Sequence, residues 1–321
     1  MRILVTGGAG FIGSNLVDEL LKNPELSLVR VLDNFVTGHA RNIEAFGKNP
    51  KFEFIKGDIR SYDTCLQSCT GIDVVSHQAA LGSVPRSIND PLKTNDVNIS
   101  GTLNIFNAAK ETGIKRVVYA ASSSTYGDHP GLPKIEHEIG NPLSPYAVTK
   151  YVNELYAQVY SKVYGLQLIG LRYFNIFGPK QDPEGPYAAV IPLFIKCVLN
   201  NEPPVINGDG RNSRDFTYIE NAVQANILAL FTNEASAINQ VYNIAFGKQT
   251  SLNELFENIK EVAGSDLAPV YGPERNGDVK HSLADVSKAK KLLKYQPETN
   301  VKDGLKNTFE WYRQQHHFGY S

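Results

Sequence analysis

Met1-Arg-Ile-Leu-Val-Thr-Gly-Gly-Ala-Gly-Phe-Ile-Gly13 opens the chain with a short apolar run, three spaced glycines and the start of a second apolar pattern. Ile3, Leu4 and Val5 have the character of a buried parallel strand. Gly7, Gly10 and Gly13 follow at three-residue spacing, and from Phe11 the apolar positions Phe11, Ile12, Leu16, Leu20 and Leu21 take a helical period. A strand, a glycine turn and a helix start make an anion site, because free backbone N–H groups and the helix dipole point at one place. Glycine is required where backbone approaches a pyrophosphate and where the helix packs on its strand. The spacing is Gly-x-x-Gly-x-x-Gly, not Gly-x-Gly-x-x-Gly, so the turn alone supports phosphate binding and little more.

Val29, Val31 and Leu32 read as a second strand ending at Asp33, twenty residues after Gly13. An acidic residue there accepts hydrogen bonds from an adenosine ribose and repels a 2′-phosphate, which favours NAD over NADP. Phe52, Phe54 and Ile55 read as a third strand, and Ile72, Val74 and Val75 as a fourth that ends in His77-Gln-Ala-Ala-Leu-Gly82. Asn95 to Ala109 has helical periodicity. Val117, Val118 and Tyr119 form a fifth strand running into Ala120-Ala-Ser-Ser-Ser-Thr-Tyr-Gly127. Ser144 to Tyr164 is a long helix with Pro145 in its first turn, and Leu166 to Leu171 is a sixth strand.

The alternation predicts an α/β fold, a doubly wound parallel sheet of the Rossmann type whose polar loops converge at the strands' carboxyl ends. From about Gly178 prolines and glycines cluster. The expected division is a NAD-binding domain over 1–177 and a smaller C-terminal α/β substrate lobe over 178–321. A stretch of about 216–246, with a helix at Val223 to Phe231 and a strand at Val241 to Ile244, is expected to return to the first sheet. Asn221 reads as the cap of that helix.

Composition narrows the function classes. The 321 residues suffice for about two domains, and 42% apolar content is ordinary for a globular chain. With 32 basic and 33 acidic residues the net charge is -1, so no global pull toward nucleic acid or a membrane surface is expected. No apolar run approaches the ~20 residues of a membrane span, and the first residues already belong to a strand, which leaves no room for a signal peptide. Cys65, Cys69 and Cys197 are too few for a disulfide framework and fit a reducing, cytoplasmic setting. Two thiols four apart do not make a metal site, and no metal is expected.

Tyr146-Ala-Val-Thr-Lys150 carries the chemistry. Residues four apart share a helix face. An ammonium beside a phenol favours the phenolate and lowers a tyrosine pKa, so Tyr146 is expected to act as a general base near neutral pH.

Gly7-x-x-Gly10-x-x-Gly13, Ser122-Ser-Ser124 and Tyr146-x-x-x-Lys150 together resemble the extended short-chain dehydrogenase/reductase superfamily. Leu32-Asp-Asn34, Leu171-Arg-Tyr-Phe-Asn175, Arg214-Asp-Phe216 and Arg275-Asn-Gly-Asp278 narrow the resemblance to nucleotide-sugar 4-epimerases. Gly82-Ser-Val-Pro-Arg-Ser87 and Ala120 to Asp128 are similar to the bacterial UDP-N-acetylglucosamine 4-epimerases, and the resemblance runs to about residue 312.

The resemblance implies 4-epimerisation through a transient 4-keto sugar. Tyr146 removes the proton from the sugar 4-hydroxyl, Ser122 bonds O4 and relays the proton, and Lys150 binds the nicotinamide ribose and keeps Tyr146 acidic. NAD is implied to contact Gly7, Gly10, Phe11, Ile12 and Gly13, then Asp33, Asn34, Thr37 and Gly38, then Asp58, Ile59, Gln78, Ala79 and Ala80, and then Asn98, Tyr146, Lys150 and Tyr173. The UDP-sugar is implied to meet Gly82, Ser83, Arg86, Ser123 and Ser124, with Arg214 and Arg275 as diphosphate clamps. Asn175 adds an amide donor, Asp278 accepts from the uridine ribose, Val190, Leu193 and Val205 border the uracil, and Asn207 is a further substrate contact.

Ser282 stands seven residues after Arg275, where relatives restricted to unacetylated sugars carry tyrosine; a small side chain leaves room for a 2-N-acetyl group. UDP-N-acetylglucosamine is therefore the expected substrate, with UDP-glucose also accepted and a UDP-hexuronate as the alternative. Dehydratases of this fold carry an acidic pair where Ser123 and Ser124 stand. Relatives dimerise by pairing the Tyr146 helix and the helix before it into a four-helix bundle, and Val152, Leu155, Val159 and Val163 suit either that role or core packing. A non-catalytic nucleotide-sugar binder is the remaining reading, disfavoured by the intact Ser122, Tyr146 and Lys150.

Overall fold

In a computed structural model, residues 1–184, 188–274 and 280–317 are described. Ile3, Leu4 and Val5 lie inside β1 (Arg2–Thr6), fully buried, with Ile3 and Val5 in one core and Leu4 in the other. That is the period-two alternation of a strand covered on both faces. With β2 (Leu28–Asp33), β3 (Phe52–Lys56), β4 (Val74–His77), β5 (Arg116–Ser122), β6 (Gln167–Tyr173) and the edge strand Val241–Ile244, it forms a seven-stranded parallel sheet. The order is Val241–Ile244, β6, β5, β4, β1, β2, β3. The chain moves outward from β1 to β3 and then crosses back to β4, so the carboxyl ends of β1 and β4 open at the topological switch point where ligands bind in such sheets.

Helix α1 (Phe11–Lys22) and the helix Ile219–Phe231 cover the face of Ile3 and Val5. On the other face lie α2 (Tyr62–Cys69), which carries the buried free thiols Cys65 and Cys69, and, after α3 (Val84–Asn89) and α4 (Pro91–Asn95), α5 (Gly101–Glu111). The helical run expected over Asn95 to Ala109 is interrupted by a π-turn at Asp96–Ser100. The first core continues into the helices Val190–Leu199, Leu252–Ala263 and Val301–His317 through Phe194, Phe256 and Leu305. Asn221 lies within the first turn of Ile219–Phe231 and does not cap it. Its side chain straps the helix to the 298–299 segment, donating to the Thr299 carbonyl (2.8 Å) and accepting from the Glu298 N–H (3.0 Å).

Helix α6 (Pro145–Tyr164) has local signals at both ends. The Ser144 hydroxyl accepts from the Ala147 N–H (3.1 Å), Pro145 fills the first position, and Gly165 ends the helix at φ +70°. Two turns in, Glu154 forms a bidentate pair with Arg172 of β6 (2.9 and 2.7 Å), both side chains 3% exposed. Arg172→Met leaves the Glu154 carboxylate buried and uncompensated, and is expected to lower stability by about 3–5 kcal/mol, read as a shift of the urea midpoint.

Candidate active site

The glycine turn runs from β1 into α1 across the end of β4. Gly7 sits at φ +70°, and a Cβ there would stand 2.6 Å from the Ala79 nitrogen; one at Gly13 would stand 2.1 Å from the Gly7 carbonyl oxygen. Both positions therefore demand glycine. Gly10 caps α1 without a side chain, leaving its first-turn N–H groups without a side-chain acceptor. The Asp33 carboxylate is fixed at the tip of β2 by the N–H groups of Ala9 (2.9 Å) and Phe35 (2.8 Å).

Around it Gly7, Asp33, Asn34, Thr37, Asp58, Ile59, Ala79 and Ala80 line one cleft, together with Arg60 and Lys93. Asp58 accepts from Arg60 (2.8 and 3.1 Å) and from Asn34 (2.9 Å), and the guanidinium holds its carboxyl down at about 2. Phe11 and Ile12 are half-buried at the start of α1, and Gly38 packs on Ala9. This cradle, closed to a Cβ at two points and ending in a fixed carboxylate, fits a dinucleotide. Gly13→Ala is expected to yield protein with less than about a tenth of the wild-type bound NAD, because the added methyl meets backbone; absorbance of nucleotide released on denaturation measures it.

Three residues implied to touch NAD make bonds inside the protein. Gln78 donates to Asn226 (2.9 Å) and accepts from the Tyr173 hydroxyl (3.0 Å), which accepts from Asn226 (2.8 Å). Asn98, in the π-turn, accepts from the Leu81 N–H (2.8 Å) and donates to the Leu81 carbonyl and to Thr149 (both 3.1 Å). It therefore ties the loop after β4 to α6 beside Lys150.

Ser122 ends β5, opposite Tyr173 in the register. Its oxygen accepts from the Ser124 N–H (3.2 Å) and hydroxyl (2.9 Å), and it lies near enough to the Tyr146 side chain to favour the phenolate. Lys150 is buried; its Nζ donates to the Ala120 carbonyl (2.8 Å) and stands 5.9 Å from the centre of the Tyr146 ring. The expectation that Lys150 makes Tyr146 acidic is not met by this geometry. Burial pushes the phenol above its ordinary value, and the group that opposes the rise is Ser122. Burial also brings Lys150 down to about 8, against the pull of Glu154 one turn further along α6.

Ser122, Ser123 and Ser124 open on a cavity of about 610 Å³ that is also lined by Asn175, Arg214 and Ser282. Helix α3 borders it through Val84, Pro85, Ile88 and Asn89; Arg86, half-buried on the same helix, Gly82 and Ser83 are not among its lining residues. Ser83 takes φ +91° and caps α3 by accepting from the Arg86 N–H (3.3 Å). Asn175 and Arg214 also line a second cavity of about 260 Å³ with Val190 and Asn207. They therefore stand between the two cavities, where a diphosphate would join sugar to nucleoside. The Asn175 amide donates to the Asp215 carbonyl (3.2 Å). Leu193 and Val205 are 40% and 59% exposed and line neither cavity. Arg275 and Asp278 lie outside the described residues.

Lys134 and Leu143 also line the sugar-side wall, and neither carried a sequence signal. Lys134 stands in a loop and reaches the site only by pairing with Ala284, 150 residues later.

A seven-stranded parallel sheet, a glycine cradle under a fixed carboxylate, and a serine–tyrosine–lysine set beside a split cavity define a nucleotide-cofactor enzyme of the Rossmann type. The chain belongs to the NAD dependent epimerase/dehydratase family, whose model matches residues 3–245. It is 36% identical to the UDP-glucose 4-epimerase of Mycolicibacterium smegmatis over 315 residues, 98% of this chain and 99% of that protein. Among solved structures it is similar to the UDP-N-acetylglucosamine 4-epimerase of Methanobrevibacter ruminantium M1 in complex with UDP-N-acetylmuramic acid (TM-score 0.92, 42% identity, 98% of each chain). It is also similar to the UDP-glucuronic acid 4-epimerase of Bacillus cereus with UDP-glucuronic acid and NAD (TM-score 0.91, 34% identity, 98% of this chain and 100% of that one). NAD is the family's cofactor. Among the described residues no helix is long and apolar enough to cross a membrane.

Proposed function

We propose that the protein interconverts UDP-N-acetylglucosamine and UDP-N-acetylgalactosamine, with UDP-glucose and UDP-galactose as a second pair. The observation that carries this reading is the sugar-side cavity. It is lined by Ser122, contains no carboxylate among its described lining residues, and has the small Ser282 on its wall. Elimination of water from C5 and C6 needs an acid and a base there, and serines at positions 123 and 124 supply neither. When bound, NAD supplies the acceptor that takes a hydride from sugar C4 and returns it, so it is regenerated in each turnover.

The chain's own residues do the rest. Tyr146 takes the proton of the 4-hydroxyl and gives it back to the product, with Ser122 holding the sugar oxygen within reach of the phenol. Lys150, anchored on Ala120, keeps a positive charge beneath the reacting oxygen. Arg214 and Asn175, at the join between the cavities, hold the diphosphate, so the sugar can turn and present its other face. Incubating the purified protein with UDP-GlcNAc, UDP-glucose and UDP-glucuronate, with separation of the 4-epimers, tests the reading. Product from UDP-GlcNAc is expected; product from the uronate alone would replace it with UDP-hexuronate 4-epimerisation.

The functional unit we propose is a homodimer in the cytoplasm. On α6, Val148, Leu155, Val159 and Val163 are exposed while Val152 is half-buried, so the first four form an apolar stripe outside the core. Pairing of α5 and α6 with a second copy covers it in a four-helix bundle. Val159→Glu is expected to convert the dimer to monomer in sedimentation velocity; a wild-type monomer would refute the assembly.

A further inference from the structure

Lys134 is a buried cation for which the mechanism above has no task. Its side chain is 5% exposed on the wall of the sugar-side cavity. Its ammonium donates to the His129 carbonyl, its one partner among the described residues. An ammonium has three donors, and a buried charge is costly unless it is paired and hydrogen-bonded. Burial accordingly lowers the Lys134 pKa.

Its main chain settles which part of the wall it belongs to. The Lys134 N–H donates to the Leu283 carbonyl (2.7 Å), and its carbonyl accepts from the Asp285 N–H (2.9 Å) and the Asn243 amide (2.8 Å). Lys134 and Ala284 thus form a parallel bridge two residues beyond Ser282, and Lys134 and Ser282 line the same cavity. The segment that leaves space for a C2 substituent is therefore the one that brings a strong, under-used donor.

We propose that Lys134 is a specificity residue that donates to the carbonyl oxygen of a 2-acetamido group on the sugar. This rests on the reading of the cavity as a UDP-sugar site. Ser122, Ser123 and Ser124 suit ring hydroxyls, whereas the Lys134 ammonium gives an acyl oxygen a charge-assisted hydrogen bond. A uronate carboxylate is a stronger acceptor still, and it is the tie to the Ser282 segment that favours the C2 position.

The test is binding by the NAD-loaded full-length protein, measured calorimetrically for UDP-GlcNAc, UDP-glucose and UDP-glucuronate with wild type, Lys134→Met and Lys134→Gln. Lys134→Met should raise the Kd for UDP-GlcNAc about tenfold or more and leave the other two within about twofold. Lys134→Gln, which keeps a neutral donor, should fall between. An equal loss for all three sugars, no loss, or a loss confined to UDP-glucuronate overturns the assignment. Because binding is measured, a wild type that binds UDP-GlcNAc without epimerising it would refute the proposed function and still answer the question for Lys134.

Discussion

Tyr146→Phe is expected to reduce turnover of UDP-GlcNAc by about 10²–10⁴-fold while the purified protein keeps its bound NAD. The substitution removes one hydroxyl and leaves the ring, so α6 keeps its Ser144 cap and Lys150 keeps its bond to Ala120. What is lost is the hydroxyl near Ser122 to which the proposed function assigns the proton transfer. Initial rates and released nucleotide, measured on the same preparation, separate loss of chemistry from loss of cofactor. A variant within about threefold of wild type would remove Tyr146 from the role of base, since general-base loss costs far more.

The wild-type pH profile should carry the same signature. Tyr146 works as a base only when ionised, and burial holds its pKa above the ordinary tyrosine value. Its active fraction therefore grows with pH, and kcat/KM should climb by up to about tenfold per unit from the acid side. Lys150, pushed down to about 8, loses its charge above that point, so the climb should flatten there. Removing the Ser122 hydroxyl (Ser122→Ala) takes away the group that opposes the rise in the Tyr146 pKa, and should move the whole limb to higher pH.

Ser282→Tyr should separate the two sugar classes. Ser282 is half-buried on the cavity wall, fixed by its N–H to the Ser213 carbonyl (3.1 Å). A tyrosine there fills the space assigned to the 2-acetamido group, and overpacking of roughly 1–3 kcal/mol corresponds to a loss of about 5–150-fold on UDP-GlcNAc. UDP-glucose, with a hydroxyl at C2, should be turned over within about threefold of wild type on the same area-and-volume argument. Competing the two substrates in one reaction reads the ratio directly. Equal losses on both would place the acetamido group elsewhere and leave Ser282 as a neutral part of the wall.

The two variants act on features of different legibility. Tyr146 and Lys150 are visible in the chain because their relation is local: one helical turn separates them, and Pro145 and Gly165 mark where that helix starts and stops. The glycine turn and Asp33 are visible for the same reason, as a strand end, a forced φ and a second strand end within a few tens of residues. Periodicity, turn chemistry and capping are short-range properties, and they suffice for the parallel sheet and the position of its ligand crevice. They misjudge what depends on surroundings. Asn221 looks like a cap but straps a distant segment, and Tyr146 looks acidic beside Lys150 but is raised by burial.

The opening thirteen residues, with the alternation that follows them, thus determine on their own that the chain folds as a doubly wound sheet with a phosphate-binding turn. The wall of the sugar-side cavity is decided only in three dimensions. Lys134 meets Ala284 and Arg172 meets Glu154, both through contacts that no local pattern encodes. Such contacts form because loops closing over the crevice must satisfy their buried N–H and C=O groups with whatever backbone lies opposite, and that neighbour is chosen by the packing of the whole.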